Sequence, residues 1–203
     1  MRDTSQEERS DTDETDIRLM QLVGTGDQQA LRMLITRWQD PLINFFYRSV
    51  RSVQTAEDLA QSVFIRIHRN AHSYQPQARF TTYIFHIARN LLINELRRVR
   101  RKPAELYDPT GFAPEICGDD ESQRRCAEIE EAFAAAIVTL TENQRTALLL
   151  HKQQDLSYEE IAAVMETSMP LVKAWIFRGR QKLRETLKDF LNPRISENIR
   201  ETR

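Results

Sequence analysis

Apolar residues recur at three- and four-residue intervals through nearly all of two long segments, 17–101 and 129–188. That spacing lines one face of a helix and does not suit a strand, whose faces alternate every second residue. Ala30, Leu31, Leu34, Ile35 and Trp38 make one such stripe, Leu59, Val63 and Ile67 a second, and Phe80, Ile84, Ile87 and Leu91 a third. Only 5 glycines occur in 203 residues, which also argues against a sandwich or barrel. The expectation is an all-α chain. The three or four helices expected in the C-terminal segment are too short to persist alone in water, so they must bury their stripes against one another.

Start and stop signals divide the pattern. Asp27 can cap the first stripe, and Asp40-Pro41 reads as a break or a fresh start before Leu42, Phe45, Phe46 and Val50. Thr55-Ala56-Glu57-Asp58 resembles a capping box with Asp in place of Glu. Periodicity stops at Ser73-Tyr74-Gln75-Pro76-Gln77, which marks a loop, and a long helix is expected from Phe80 to about Arg101. Two further boxes, Thr141 to Gln144 and Ser157 to Glu160, open helices near the C-terminal end. Between the halves, residues 103–127 hold Pro103, Pro109, Pro114, two glycines and the acids Asp119, Asp120 and Glu121. This composition predicts a flexible acidic linker between two small helical domains, 17–102 and 128–191. Residues 1–16 are too polar to pack and are expected to be disordered, with 192–203 as a tail.

The formal net charge of −1 hides a strong asymmetry. Residues 1–16 carry 7 acids and 2 bases, whereas 17–102 carry 14 bases and 5 acids. Residues 103–128 return to 7 acids against 2 bases, and 173–188 hold 6 bases and 1 acid. Two basic segments between acidic ones predict two modules that bind a polyanion. No run of 18 apolar residues exists, and the polar N-terminus is no signal peptide, so no membrane insertion and a cytoplasmic location are expected. Cys117 and Cys126 have no histidine nearby, and His68, His72, His86 and His151 show no ligand spacing, so no metal or other cofactor is expected. No phosphate loop of the GxxxxGK[ST] type is present.

Ser157 to Lys188 has the form helix, short turn, helix. Ile161, Ala162 and Met165 give the first helix an inner face, Glu166-Thr167-Ser168 make the turn, and Pro170 suits the first turn of the next helix. There Val172, Ile176, Gly179 and Leu183 fall at intervals of four, three and four and face inward. Ala174, Phe177 and Gln181 point the other way, with Lys173 and Arg178 on the flanks. A helix of this kind can enter the major groove and read base edges and phosphates. A helical hairpin with a solvated basic face is the competing account. Many such turns carry Gly, and Glu166 sits near that place, where a left-handed backbone would be costly for Glu. In the N-terminal half, Asn90, Asn94, Arg97 and Arg101 form a second stripe on the long helix. It offers amide and guanidinium groups to phosphates and bases. Phe80, Tyr83 and Phe85 fit base-stacking rings or core packing, and helical spacing favours the core for Phe80.

These segments carry a family resemblance. LSYEEIAAVMETSMPLVKAWIFRGRQKLRETL (156–187) resembles region 4 of extracytoplasmic-function sigma factors, and TENQRTALLL (141–150) is similar to the helix that precedes it. AEDLAQSVFIRIHRN (56–70) and FTTYIFHIARNLLINELRR (80–98) resemble region 2 of the same family. The resemblance implies a non-enzymatic sigma factor that binds core RNA polymerase, recognises −35 and −10 promoter elements and promotes melting. It assigns −35 DNA to Leu171, Lys173, Ala174, Phe177, Arg178, Arg180 and Lys182. It assigns −10 DNA to Tyr74, Phe80, Thr81, Asn90, Asn94, Arg97 and Arg98, with a flipped base held by the loop 74–82. Asp58, Gln61, Phe64 and Arg66 would contact the clamp helices of the largest polymerase subunit, and region 4 its flap. An anti-sigma factor is an implied partner. The family often has an acid at Ser62, an aromatic at His68, Trp at Tyr83 and Asp at Asn94. A stand-alone helix-turn-helix regulator is the alternative, and an enzyme with paired carboxylates (Glu57-Asp58, Glu159-Glu160) is a second. Those acids, however, lie at helix starts, where they are favoured electrostatically.

Overall fold

The computed structural model describes residues 4–101, 129 and 131–188. The linker 103–127 with its two cysteines, and the tail 192–203, lie outside the described residues. The elements are α1 (Thr4–Gly24), α2 (Gln28–Val50), α3 (Val53–Asn70), a 3₁₀ turn (Ala71–Ser73), α4 (Phe80–Arg101), α5 (131–138), α6 (Glu142–Gln153), α7 (Tyr158–Val164) and α8 (Met169–Thr186). Among the described residues there is no strand. The all-α expectation holds.

Helices α1 to α4 bury their stripes together. Phe45, Phe46, Phe80 and Phe85 are fully buried. Phe45 meets Phe85 edge-on at 5.4 Å and Trp38 meets Phe85 at 6.1 Å, the geometry that ring quadrupoles favour. Each ring contributes about 2–3 kcal/mol by leaving water. Asp27 caps α2, accepting from Gln29 N at 2.7 Å and Ala30 N at 3.1 Å. The expected break at Asp40-Pro41 does not occur: α2 runs through Pro41 without interruption. Trp38, Leu42 and Phe45 continue one buried stripe across the proline, and their burial outweighs the lost backbone bond. Helix α3 opens one turn earlier than the Thr55 box implied, with Ser52 as the cap whose Oγ accepts from Thr55 N.

Residues 4–16, expected to lack order, are instead the first turns of α1. Asp13 and Asp16 are 8% and 0% exposed. They extend the buried stripe of Met20 and Val23 at intervals of three and four, with carboxylates in the apolar places. Asp16 binds Arg37 and accepts from Trp38 Nε1 at 3.0 Å. Asp13 accepts from Phe80 N at 2.8 Å and thus caps α4 from a distant helix. Gly24 ends α1 against the 3₁₀ turn, where a Cβ would sit 2.7 Å from the Ala71 carbonyl oxygen. Only glycine permits that approach.

Both C-terminal capping boxes form. Thr141 and Ser157 accept from Gln144 N and Glu160 N, while Gln144 and Glu160 accept from the cap amides at 3.2 and 2.8 Å. Val172, Ile176, Gly179 and Leu183 are the buried residues of α8, as their spacing requires. The two helical groups do not stand apart: their buried side chains form one continuous core. Arg145 joins them, donating to Ser49 O at 2.8 Å across the boundary and to Val138 O and Leu140 O at 3.0 and 3.3 Å. The Arg48 guanidinium lies over the Phe133 ring at 5.2 Å, and Arg100 pairs with Glu142 at 3.3 Å.

Candidate nucleic-acid interface

The first surface is α8. Its capping residue Ser168 has extended backbone, Pro170 sits in its first turn, and the buried stripe turns the opposite face to solvent. Leu171, Lys173, Phe177, Arg178 and Arg180 are exposed there, and Ala174 is half-buried. Phe177 stands out at 69% exposure. A large ring left in water is informative where a buried one is not. Lys173 rests its ammonium over the Tyr158 ring at 5.6 Å. Lys182 points back to its own domain and donates to Thr139 O. The forward part of α8 is therefore a convex, cationic ridge with one apolar projection, a shape suited to a duplex groove.

The second surface is concave. A cavity of about 540 Å³ lies between the loop after α3 and the start of α4. Tyr74, Gln75, Gln77, Thr82, Tyr83 and His86 line it. The Tyr74 and Tyr83 rings lie 5.0 Å apart at 54°. Tyr74 OH and Thr82 Oγ1 are buried without a hydrogen-bond partner. Burial pushes the Tyr74 phenol up to about 12, aided by Asp13, Tyr83 and Asp16, and also raises Tyr83. Both phenols stay protonated and can donate. A buried polar group without a protein partner is costly, so both hydroxyls would gain from a bonding group brought to them.

Along α4 from the cavity, His86 and Asn90 are half-buried, and Asn94 and Arg97 are exposed. Arg98 is held by Glu95 at 2.8 and 2.9 Å. Phe80 is 0% exposed and packs on Trp38, so it is a core ring and offers no stacking face. Thr81 is likewise buried behind the cavity, its amide aimed at Asp13. A third surface lies on α3, where Asp58, Gln61 and Arg66 are exposed. Phe64 turns inward at 8% exposure, and Ile65, which the sequence stripes did not single out, projects at 49%. Among the described residues no group of three or more His, Cys, Asp or Glu could hold a metal. No described helix is long and apolar enough to cross a membrane.

Comparison with known proteins decides what these surfaces belong to. The family described as Sigma-70 region 2 matches residues 34–102, and that described as Sigma-70, region 4 matches 130–183. The RNA polymerase sigma-H factor of Pseudomonas aeruginosa is 32% identical over 189 residues, spanning 89% of this chain and 97% of its own. The chain belongs to the extracytoplasmic-function sigma factors. The ECF sigma factor SigW of Bacillus subtilis is 31% identical, covering 82% of this chain and 94% of SigW. The sigma-E factor of Escherichia coli is 32% identical, covering 83% and 92%. Solved structures share the fold. CnrH in complex with the cytosolic domain of CnrY aligns with a TM-score of 0.63 at 21% identity, covering 86% of this chain and 97% of that one. RpoE with the anti-sigma factor NepR from Bartonella quintana gives 0.63 at 22%, covering 77% and 96%.

The region 2 match of this sigma factor takes in most of α2, all of α3 and all of α4, and the region 4 match takes in α5 to most of α8. Helix α1 precedes both, yet its Asp13 supports the start of α4. Thr82 lies at the end of the 74–82 loop that the resemblance pointed to, whereas His86 was missed from the sequence because its imidazole sits on a stripe that reads as core margin. Only the loop placed opposite makes that margin a wall. Asp13 left a signal in its spacing from Asp16, Met20 and Val23, but a search for apolar periodicity passes over carboxylates.

Proposed function

We propose that this sigma factor opens promoters by trapping an unpaired −10 base in the cavity between the 74–79 loop and α4, while α8 reads the −35 duplex. The carrying observation is the cavity: two unpartnered hydroxyls, Tyr74 OH and Thr82 Oγ1, beside paired tyrosine rings. A flipped base needs a ring face to stack on and a polar edge to bond, and both are present. Asn90, Asn94 and Arg97 continue the path of the strand away from it. Lys173, Phe177, Arg178 and Arg180 face the −35 duplex. Asp58, Gln61, Ile65 and Arg66 make the contact with core polymerase. Polymerase holds both modules on one promoter, so the second DNA contact gains by effective concentration. The factor acts by binding, without chemistry of its own, in the cytoplasm where polymerase is. An anti-sigma partner, of the kind named for RpoE, is part of this reading.

The test replaces the hydroxyls only, with Tyr74→Phe and Thr82→Val. The fold should be unharmed, because removing an unpaired buried hydroxyl relieves a cost. Holoenzyme carrying both changes should bind core polymerase normally and lose open complexes on duplex promoters by about tenfold, the worth of one base-edge contact. A promoter with the −10 bases already unpaired should restore part of the loss. Unchanged permanganate reactivity on the duplex would remove the cavity from the mechanism.

A further inference from the structure

We infer that Asp13, on a stretch of helix outside both matched regions, is a positioning residue for promoter opening, holding the first turn of α4 so that Thr82 and Tyr83 face the cavity. The inference rests on the −10 assignment just made. A helix start leaves its first amides without partners, and the side chain of the residue before it ordinarily serves them. Here that residue is Arg79, and none of Gln75, Pro76, Gln77, Ala78 and Arg79 is of a capping type. The first bond of α4 runs from Tyr83 N to Arg79 O at 3.1 Å, so the amides just before Tyr83 have no acceptor within the helix. Asp13 supplies one from 67 residues away. Its Oδ1 accepts from Phe80 N at 2.8 Å and lies 3.5 Å from Thr81 N, while Oδ2 is 3.8 Å from Arg79 Nε. A carboxylate also suits the positive end of a helix.

Burial points the same way. Asp13 is 8% exposed and shares one stripe of α1 with Asp16, Met20 and Val23. An apolar residue would fill that place without the cost of desolvating a charge, so the carboxylate does not serve the core. It serves the start of α4. Thr82 and Tyr83 follow in the same turn and both line the cavity, Thr82 with its unpartnered Oγ1. Tyr74, on the facing loop, feels the same carboxylate: after burial, Asp13 is the largest influence raising its phenol. Freed of Asp13, the turn would hold a buried amide with no acceptor, and it would relieve that cost by opening. Hydroxyl and ring would then leave the places where the base is expected. Asp13 touches no base; it acts through Thr82 and Tyr83.

Two substitutions at Asp13 separate acceptor from shape. Asp13→Leu has nearly the outline of the carboxylate and matches Met20 and Val23, but it offers no acceptor. Asp13→Asn keeps an oxygen for Phe80 N. In holoenzyme, Asp13→Leu should lower permanganate-reactive open complexes on a duplex promoter by about fivefold, the scale of a lost helix cap. Binding to core polymerase and to a −35 duplex should not change, and Asp13→Asn should keep most of the opening. The decisive measurement adds Asp13→Leu to Tyr74→Phe, Thr82→Val. Groups that act as one unit are not additive, so in that background Asp13→Leu should lower opening by no more than about twofold further. Unchanged opening with Asp13→Leu in the parent would overturn the inference. So would the full loss in both backgrounds, or a loss of core binding alongside, since Asp13 would then serve the fold at large. Asp13→Asn failing as badly as Asp13→Leu would overturn it too, because the acceptor would not be what matters. If Tyr74→Phe, Thr82→Val alone leaves opening intact, the −10 assignment and this inference fall together. If that pair lowers opening and Asp13→Leu does not, the −10 assignment stands and only the inference falls.

Discussion

The two surfaces of this sigma factor that we propose for DNA are built on opposite plans. Region 2 presents a cavity walled by Tyr74 and Tyr83, with hydroxyls lacking partners and with buried Asp13 bracing α4 from behind. Region 4 presents a ridge on α8, convex and cationic, with Phe177 at 69% exposure. The difference teaches what each must recognise. An unstacked base has two faces and an edge, and it gains only if all are covered together. A duplex keeps its bases stacked and offers edges at the floor of a groove, so the protein must project into it.

The contrast assumes that the two regions, though different in design, share one folded body, and Arg145 can break that assumption. Its guanidinium serves carbonyls in both, and Arg145→Ala would leave Ser49 O, Val138 O and Leu140 O without it. Stability should fall by about 3 kcal/mol, the cost of leaving several partly buried acceptors unpaired. Urea unfolding followed at Trp38 in region 2 and at Trp175 in region 4 should move together. Separate midpoints would mean that the regions fold independently.

A smaller effect is expected on the ridge. Arg178→Ala should cost about 1–3 kcal/mol on promoters with the preferred −35 base, if its fork meets a guanine edge. The loss should be graded among sequences and should leave melting of a bound promoter unchanged. An equal loss on every sequence would make Arg178 a phosphate contact, and the ridge a positioning device.

The smallest effect concerns the acids behind the cavity, which have no counterpart behind the ridge. Burial raises Asp16, against the opposing pull of Arg37 and Trp38, and burial likewise raises Asp13 against Arg79. A carboxyl raised on folding favours the native state most when protonated. That contribution is full below the ordinary carboxylate value and is lost as pH rises through the raised one. Asp16→Asn, neutral throughout, should flatten this part of the pH dependence. Urea midpoints between pH 4 and 7 would show a shallower fall for the variant than for the parent, and a steeper one would reverse the assignment.

Much of this was written in the sequence. Three- and four-residue spacing determined the helices, and both C-terminal capping boxes formed where Thr141 and Ser157 announced them, because a cap depends only on residues within one turn. The inward stripe of α8 and its outward Lys173, Phe177 and Arg178 followed from the helical angle alone. Other features depended on contacts distant in the chain, which local rules do not contain. Pro41 continues a helix because Trp38, Leu42 and Phe45 are buried on either side of it. Residues 4–16 are helical because Asp13 and Asp16 find Phe80 N, Arg37 and Trp38, partners from 21 to 67 residues away. Phe64 and Phe80, which the family pattern placed on binding surfaces, turn inward because a large ring gains more from the core than from water. The cavity exists only where a loop, α4 and α7 converge. Sequence set each helix and its faces; tertiary packing alone decided which faces meet, and so which polar groups are buried without a protein partner.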